Sequence, residues 1–350
     1  MAKRLVVALN AQRLNFDQRL DLSALRSAAQ VVLHDSTPPH QILERVRGCE
    51  VVITKELALG RETILAFDAS VRLIVEAGTG FNNIDVEAAN SKQILVCNCP
   101  AYSTDAVATL VLTHVLNFSS SLVAQQRRIW AGDREHFRDA DANIGSMPHF
   151  ELGGKTIGLI GGSGAVGTRV AELARAFGMR VIVSSRGGRA PPGATVEQID
   201  DLLRSSDFVS VHAPLCAGTR HLLDARRLAL LRPSAYLINT ARGALIDEAA
   251  LVAALDQRRF AGAALDVQDP EPPEPDSPMY AMDNLVLTPH IGWRRLETRQ
   301  RLVDAVTANV AAYLAGAPTN VVSAPAPQTQ AARAAFFEPE EETKRASQHV

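Results

Sequence analysis

The chain has 350 residues and a formal net charge of −2, with 47% hydrophobic and 21% charged residues. These values are typical of a globular protein in water, and the length suggests two domains. The balanced charge gives no reason to expect nucleic acid or another polyanion as a partner. The apolar runs are too short to span a bilayer and no signal-peptide hydrophobic region is evident, so we expect no membrane partner and a cytoplasmic location.

The four cysteines are Cys49, Cys97, Cys99 and Cys216, which are too few and too irregularly spaced for a disulfide framework. Cys97 and Cys99 are separated by one residue, unlike the C-x-x-C of zinc and redox sites. We therefore predict buried structural thiols and no metal site.

Apolar, β-rich runs alternate with helix-period segments in the first hundred residues, which predicts a small parallel sheet built from βαβ units. The predicted strands are residues 5–9, 31–34, 51–54, 73–76 and 94–97. A long helix is predicted from residue 104 to about 126, with Ser103 as its cap. It is apolar on more than one face, so it is either central or packed against another subunit. We favour the subunit contact and a homodimer.

A loop is predicted at residues 132–150, followed by a second alternating series that again indicates a doubly wound sheet. Its predicted strands are residues 157–160, 181–184, 208–212, 236–239, 263–266 and 285–287. A final helix is predicted at residues 296–314. Residues 323–350 lack a sustained apolar period and are expected to form a disordered tail.

One glycine-rich segment follows a predicted strand and precedes a predicted helix, in the pattern G-x-G-x-x-G. Glycines allow a tight turn with close backbone approach, and the free N–H groups of a helix N-terminus attract a pyrophosphate. We therefore predict a dinucleotide site rather than an ordinary glycine-rich turn. Its residues are Gly162, Ser163, Gly164, Ala165, Val166 and Gly167.

The end of the next strand bears on the choice of cofactor. NAD-binding proteins place an Asp or Glu there for the ribose 2′-hydroxyl. Here the strand is followed by Ser185, Arg186 and Arg189. Because no carboxylate repels a 2′-phosphate and an arginine could bind one, we predict NADP as the preferred cofactor, with NAD possible. The alternative is a solvated basic loop.

Three further polar residues follow later apolar runs: Arg242, Glu271 and His290. In doubly wound sheets, residues just beyond the carboxyl ends of strands line the ligand crevice. Taken singly, each could be a surface or turn residue. Together they are predicted to converge on the cofactor.

These segments resemble the D-isomer-specific 2-hydroxyacid dehydrogenase family, and the resemblance covers about residues 5–322. It also includes the run from Gly78 to Asp85, the His212-Ala213-Pro214-Leu215 segment and the run His290-Ile291-Gly292-Trp293. The branch that this chain most resembles contains hydroxypyruvate reductases and glycerate dehydrogenases.

The resemblance implies an α/β fold of two doubly wound parallel-sheet domains, a flavodoxin-like substrate domain and a Rossmann cofactor domain, with a cleft between them. Residues 1–99 and 289–322 would form the former and residues 100–288 the latter. It also implies a small 2-keto acid substrate and assigns roles to further residues. Arg242, Glu271 and His290 would be catalytic, and the backbone of Thr79 and Gly80 would bind the substrate carboxylate with Arg242. The cofactor would also contact His212, Ala213, Pro214, Thr219, Thr240, Ala241, Arg242, Asp266, His290 and Gly292.

The chemistry of keto-acid reduction explains these residue types. Hydride addition develops negative charge on the carbonyl oxygen, so an acid such as His290 must deliver a proton there. A hydrogen bond from the imidazole to the Glu271 carboxylate would fix the ring. Arg242 offers a planar, permanently charged fork for a carboxylate.

Some positions depart from the family pattern. Gly161 lengthens the loop before the glycine motif, and Ala165 stands where many relatives have an arginine, leaving Ser163 or Arg169 as substitutes. Arg294 and Arg295 follow Trp293, and pointing inward they would admit a larger or doubly charged substrate. We expect them to point outward.

Two functions remain open at this point. The leading one is an NADPH-dependent reductase of hydroxypyruvate or glyoxylate. The alternative is a binding protein on the same scaffold, because family relatives include transcriptional co-repressors. Glu271 argues against formate dehydrogenase, which has glutamine at that position.

Overall fold

The computed structural model describes residues 4–133 and 147–323. Two all-parallel sheets dominate the architecture. The first sheet has the strand order β2-β1-β3-β4-β5. Its strands are β1 (Leu5–Ala8), β2 (Gln30–Leu33), β3 (Val51–Thr54), β4 (Leu73–Glu76) and β5 (Leu95–Cys97).

The second sheet has seven strands in the order β12-β11-β10-β9-β6-β7-β8. They are β6 (Thr156–Ile160), β7 (Arg180–Ser184), β8 (Thr195–Val196), β9 (Phe208–Val211), β10 (Tyr236–Asn239), β11 (Gly262–Leu265) and β12 (Leu285–Leu287). Strands β6, β9, β10 and β11 are buried along their whole length, as expected of parallel strands covered on both faces.

Helices cover both sheets. Those around the first sheet are α1 (Ser23–Ala28), α2 (Ile42–Val46), α3 (Arg61–Leu65) and α4 (Val86–Ser91). The chain continues through α5 (Thr104–Ser120), α6 (Leu122–Trp130), α7 (Ala165–Ala176), α8 (Ile199–Ser205), α9 (Ala225–Leu228), α10 (Glu248–Asp256) and α11 (Leu296–Leu314).

The predicted fold class is confirmed, and each predicted strand lies within one residue of an observed strand. Strand β8 was not predicted. It has two residues, both exposed, at the edge of the second sheet, so it leaves no apolar pattern in the sequence. The final helix begins and ends where it was predicted. It packs its apolar side chains Leu302, Val306 and Val310 into the core of the first sheet.

The long helix predicted from residue 104 to about 126 is wrong in its extent. The chain breaks at Ser121, which has a left-handed φ of 49°, and α5 and α6 meet at a bend of 65°. Ser103 occupies the N-cap position, but its side chain makes no capping hydrogen bond. No single helix within residues 4–133 and 147–323 is long and apolar enough to cross a membrane; only the bent pair α5 and α6 together meets those limits of length and composition.

The all-round apolar character of α5 is explained by a central position in the fold. The helix lies between α7 and the second sheet. Phe118 on α5 stacks on Tyr236 of β10 with ring centroids 4.3 Å apart. By contrast, α6 has no buried residue, and Leu122 and Trp130 are 62% and 77% exposed.

Two predictions fall partly or wholly outside the described residues. The loop predicted at residues 132–150 includes residues 134–146, and the tail predicted at residues 323–350 is described only at Ser323. Cys49, Cys97 and Cys99 are buried free thiols, as predicted, whereas the free thiol Cys216 is only half-buried.

Candidate active site

A cleft of about 380 Å³ lies where the carboxyl ends of the two sheets face each other. Residues that follow β3 and β4 supply one side, and residues that follow β9, β10, β11 and β12 supply the other. This arrangement follows from topology, because parallel strands bring all their carboxyl ends to one edge of a sheet. The residues predicted to act on a substrate are therefore collected at this edge.

The structure brings the predicted trio together. His290 Nδ1 lies 2.7 Å from Glu271 Oε1, and the His290 side chain is 19% exposed. The Arg242 guanidinium lines the same cleft, where Nε donates to Asn82 Oδ1 at 3.2 Å and Nη1 to the Ala241 carbonyl at 2.7 Å. These bonds fix the plane of the guanidinium. Within the described residues, Nη2 has no hydrogen-bond acceptor.

The loop after β4 lies directly against Arg242. A Cβ atom added to Gly80 would lie 1.9 Å from Arg242 Nη2, so glycine is required for this close approach. The Thr79 hydroxyl donates to the Cys99 carbonyl at 2.9 Å, which anchors the loop to the end of β5. The backbone N–H groups of Thr79 and Gly80 have no acceptor among residues 4–133 and 147–323. They could bind the carboxylate of a ligand beside Arg242.

Asp266 organises the loop that carries His290. Its carboxylate accepts hydrogen bonds from the Thr288 hydroxyl at 2.6 Å and from the N–H groups of Ile291 and Gly292 at 2.8 Å each. The predicted role of Asp266 was a contact with nicotinamide. The structure does place it on the cleft wall, but both carboxylate oxygens are already bonded to this loop. Asp266 thus acts on the position of His290, whose φ of 52° is left-handed.

The glycine motif forms a tight turn at the N-terminus of α7. A Cβ atom on Gly167 would lie 2.5 Å from the Gly162 Cα atom. The backbone of the helix therefore packs directly against the backbone of the turn. The N–H groups of Ala165, Val166 and Gly167 have no acceptor among the residues described. The inserted Gly161 has a φ of 78°, and a Cβ there would lie 2.7 Å from the Ala213 backbone nitrogen. The extra residue is thus a glycine for steric reasons.

Buried polar atoms without partners mark the cofactor side of the cleft. Thr240 Oγ1 and His212 Nε2 both line the cleft, and neither has a hydrogen-bond partner within the described chain. Burial lowers the pKa of His212 to about 4, so its imidazole is neutral near pH 7. Orphaned polar atoms and open helix N–H groups fit a nicotinamide dinucleotide. The same wall contains four other residues that were predicted to contact the cofactor: Ala213, Pro214, Ala241 and Gly292.

Some predicted contacts do not reach the cleft. Thr219 is 1% exposed, and its hydroxyl donates to the Pro214 carbonyl at 2.6 Å, so it shapes the loop after β9 instead of facing a ligand. Arg169 pairs with Asp105 and Glu172 on the surface of α7, which removes it as a substitute for the missing arginine.

The basic loop after β7 is exposed. Both Arg186 and Arg189 lie on the surface, and the Ser185 hydroxyl donates to the Arg189 carbonyl. Arg294 and Arg295 are exposed, as expected, and do not line the cleft. Arg295 instead donates to the Ala106 carbonyl of α5 at 2.5 Å.

Three charged residues on the first-sheet side were not predicted: Lys55, Glu56 and Glu76. Lys55 is 4% exposed, forms an ion pair with Glu56 and lies 4.1 Å above the centroid of the Trp293 ring. Glu76 accepts from the Glu56 N–H at 3.0 Å and from Asn83 Nδ2 at 2.9 Å. Lys55 and Glu56 directly follow β3, and Glu76 ends β4, so the strand-end rule that identified the other residues would also have found these.

Burial and mutual charge set the protonation of this cluster. Burial lowers the pKa of Lys55, while the neighbouring carboxylates oppose that shift. Burial alone would raise the pKa of Glu56, but the Lys55 ammonium and then His290 hold it at about 2. Burial raises the pKa of Glu76 to about 7, since the stabilisation from Lys55 and Asn83 offsets it only in part. The cleft therefore contains an ionised Glu56 beside the Glu76 carboxyl group, which titrates near neutrality.

The family model and two related sequences that match this chain all indicate 2-hydroxyacid dehydrogenases. Residues 110–292 match the model of the D-isomer specific 2-hydroxyacid dehydrogenase NAD binding domain. A glyoxylate reductase of Aeropyrum pernix is 35% identical over 314 residues, covering 88% of this chain and 93% of the relative. A glycerate dehydrogenase of Methylorubrum extorquens is 33% identical over 288 residues, covering 82% of this chain and 89% of the relative.

A solved structure of an acyclic imino acid reductase in complex with NADPH and D-Arg has a TM-score of 0.80 to this fold. It is 28% identical and covers 91% of this chain and 99% of its own. The glycine turn, the paired His290 and Glu271, and this extent of similarity lead to one conclusion. The chain belongs to the D-isomer-specific 2-hydroxyacid dehydrogenase family and is an oxidoreductase with an NAD-binding Rossmann fold.

Proposed function

We propose that the chain reduces a small 2-keto acid, of the hydroxypyruvate or glyoxylate type, to a D-2-hydroxy acid with NADPH, and that His290 donates the proton. The observation that carries this proposal is the 2.7 Å contact of Glu271 with His290, which lines the cleft together with Arg242. Initial rates with a panel of 2-keto acids, measured with NADPH and NADH in parallel, test it. Tight peptide binding with negligible turnover of every acid would contradict it.

Each residue supports a separate part of this reaction. A reduced nicotinamide supplies the hydride when the cofactor is bound. Arg242 and the open N–H groups of Thr79 and Gly80 hold the substrate carboxylate, which fixes the carbonyl in the cleft. His290 gives a proton to the carbonyl oxygen, and Glu271 keeps the imidazole ring oriented. The Asp266 bonds hold the loop in place while this occurs.

The preference for NADPH is supported by the loop after β7. Arg186 and Arg189 follow the strand where NAD-specific proteins carry a carboxylate. The NADPH bound in a solved structure of similar fold also supports this preference. We therefore assign the 2′-phosphate to these arginines.

Changing Arg186 to glutamine is expected to raise the KM for NADPH about 10- to 100-fold, since a charge-assisted hydrogen bond contributes about 1.5–3 kcal/mol. The KM for NADH should change little, because NADH has no 2′-phosphate. Steady-state kinetics with both cofactors measure this. Arg232→Gln, at an exposed arginine paired with Asp207, is the matched control. Wild-type enzyme that uses NADH as efficiently as NADPH would contradict the assignment.

We also propose that residues 1–99 and 289–322 form a substrate domain and residues 100–288 a cofactor domain, which close over substrate about Pro100 and Pro289. The cleft supports this proposal, because residues of both sheets face one another across it. Closure would exclude water from the path of the hydride.

A homodimer in the cytoplasm remains our prediction for the state of the protein in the cell. The exposed Leu122 and Trp130 of α6 support the dimer, since a subunit contact would bury these large apolar side chains. Light scattering is expected to give twice the 37.6 kDa mass of one chain. A mass of one chain at micromolar concentration would contradict it.

A further inference from the structure

One wall of the cleft has no part in the proposed reaction. The carboxylate site lies at Thr79, Gly80 and Arg242, and the proton donor is His290. The cofactor side carries His212 and Thr240. Several charged and aromatic cleft residues without a part in that reaction form one wall: Lys55, Glu56, Glu76, Tyr102 and Trp293. A substrate held by its carboxylate and its carbonyl can direct its C3 substituent to this wall.

Lys55 is fixed rigidly in that wall. Asn10 Oδ1 accepts from the Lys55 N–H at 2.9 Å, and Asn10 Nδ2 donates to the Lys55 carbonyl at 2.5 Å. The face of the Trp293 ring lies 4.1 Å from Nζ. A buried lysine that is held at its backbone and at its ammonium group keeps one geometry, which is a requirement for substrate selection.

The Lys55 ammonium retains unused donor capacity. It carries three N–H donors, and within residues 4–133 and 147–323 it has one hydrogen-bond acceptor, Glu56. Behind Lys55 lies a cavity of about 40 Å³. Its lining is mostly apolar side chains, so it offers few hydrogen-bond acceptors for the remaining N–H donors of Lys55. Trp293 Nε1, also buried, has no partner among the described residues. Lys55 Nζ and Trp293 Nε1 are therefore two neighbouring donors, in residues that line the cleft, that can still bind an acceptor.

We propose that Lys55 is a specificity-determining residue that donates a hydrogen bond to an oxygen on C3 of the substrate, and so selects 3-hydroxy-2-keto acids over 2-keto acids without that oxygen. This inference rests on the proposed function and names the substrate class within it. A hydroxyl suits the wall because it accepts from Lys55 and can donate to a carboxyl oxygen of Glu56 or Glu76. A second carboxylate would meet the negative charge of Glu56, and a methyl group would leave the donors unpaired.

The test compares hydroxypyruvate with pyruvate, which differ by one hydroxyl group. The readout is the ratio of their kcat/KM values, which does not depend on how much of the enzyme is correctly folded. In Lys55→Met this ratio is expected to fall about 10- to 100-fold, the usual effect of losing a hydrogen bond to a charged group. Lys55→Gln, which keeps a neutral donor, should retain part of the preference.

Lys155→Met is the matched control, since Lys155 also lies over an aromatic ring, 5.3 Å from the centroid of Phe150, but outside the cleft. Its ratio should equal that of the wild type. Turnover of glyoxylate and pyruvate without a preference for hydroxypyruvate, or a ratio in Lys55→Met equal to that of Lys155→Met, would overturn this inference alone. Absence of turnover with all three acids would instead overturn the proposed function.

Discussion

His290→Ala is expected to lower kcat for a 2-keto acid by about 10²- to 10⁴-fold, the usual contribution of a positioned general acid. The physical reason is that His290, held by Glu271 at 2.7 Å, is the proposed donor to the carbonyl oxygen. Of the other carboxyl groups that line the described cleft, Glu56 and Glu76 belong to the separate cluster after β3 and β4, and Asp266 is bonded to the loop after β12. Water would have to supply the proton. Cofactor affinity should change little, because the helix N-terminus and the loop after β7 remain intact.

Two measurements check this expectation. Steady-state turnover gives kcat, and titration of NADPH fluorescence gives the dissociation constant of the cofactor. The exposed His40, which does not line the cleft, provides His40→Ala as a matched control with wild-type kinetics. A kcat of His290→Ala within tenfold of the wild type would show that another group delivers the proton.

Arg242→Lys is expected to raise the KM for the 2-keto acid about 10- to 100-fold, since an ammonium cannot replace a planar fork that binds both carboxylate oxygens. The structure sharpens this expectation. Arg242 reaches Asn82 and the Ala241 carbonyl with two nitrogens while Nη2 remains against Gly80. A lysine could not make both contacts and also reach a carboxylate beside Gly80.

The matched control is Arg258→Lys, because Arg258 forms a surface pair in which Nη2 contacts both oxygens of Asp283, at 2.7 and 2.9 Å. This change should leave KM and kcat unaltered. If Arg242→Lys keeps a KM within threefold of the wild type, the substrate carboxylate binds elsewhere, and the backbone of Thr79 and Gly80 would be its principal site.

The sequence was sufficient for every strand of the two sheets except the exposed edge strand β8, because buried parallel strands are nearly continuous apolar runs. It failed at Ser121, where a single left-handed residue interrupts an apolar pattern that continues on both sides. A serine in that conformation carries no strong sequence signal, unlike glycine. Helix α11 was predicted to the residue because its apolar period is sustained over five turns.

The candidate site was predictable where a side chain with a specific chemical role follows a predicted strand, as at His290 and Arg242. Lys55 was missed because a lysine after an apolar run is usually a solvated surface residue. Its burial depends on Trp293 and Asn10, which are distant in sequence. Thr219 shows the opposite error, since its hydroxyl is satisfied by the Pro214 carbonyl within its own loop.

The division of the cleft between two sheets has a consequence for engineering. Arg242, Glu271 and His290 all come from loops beyond the second sheet, whereas Lys55 and Thr79 follow strands of the first. Exchanging the short turns after β3 and β4 for those of a relative would therefore change which C3 substituent of the substrate the enzyme accepts. The residues that deliver the proton, Glu271 and His290, would stay the same.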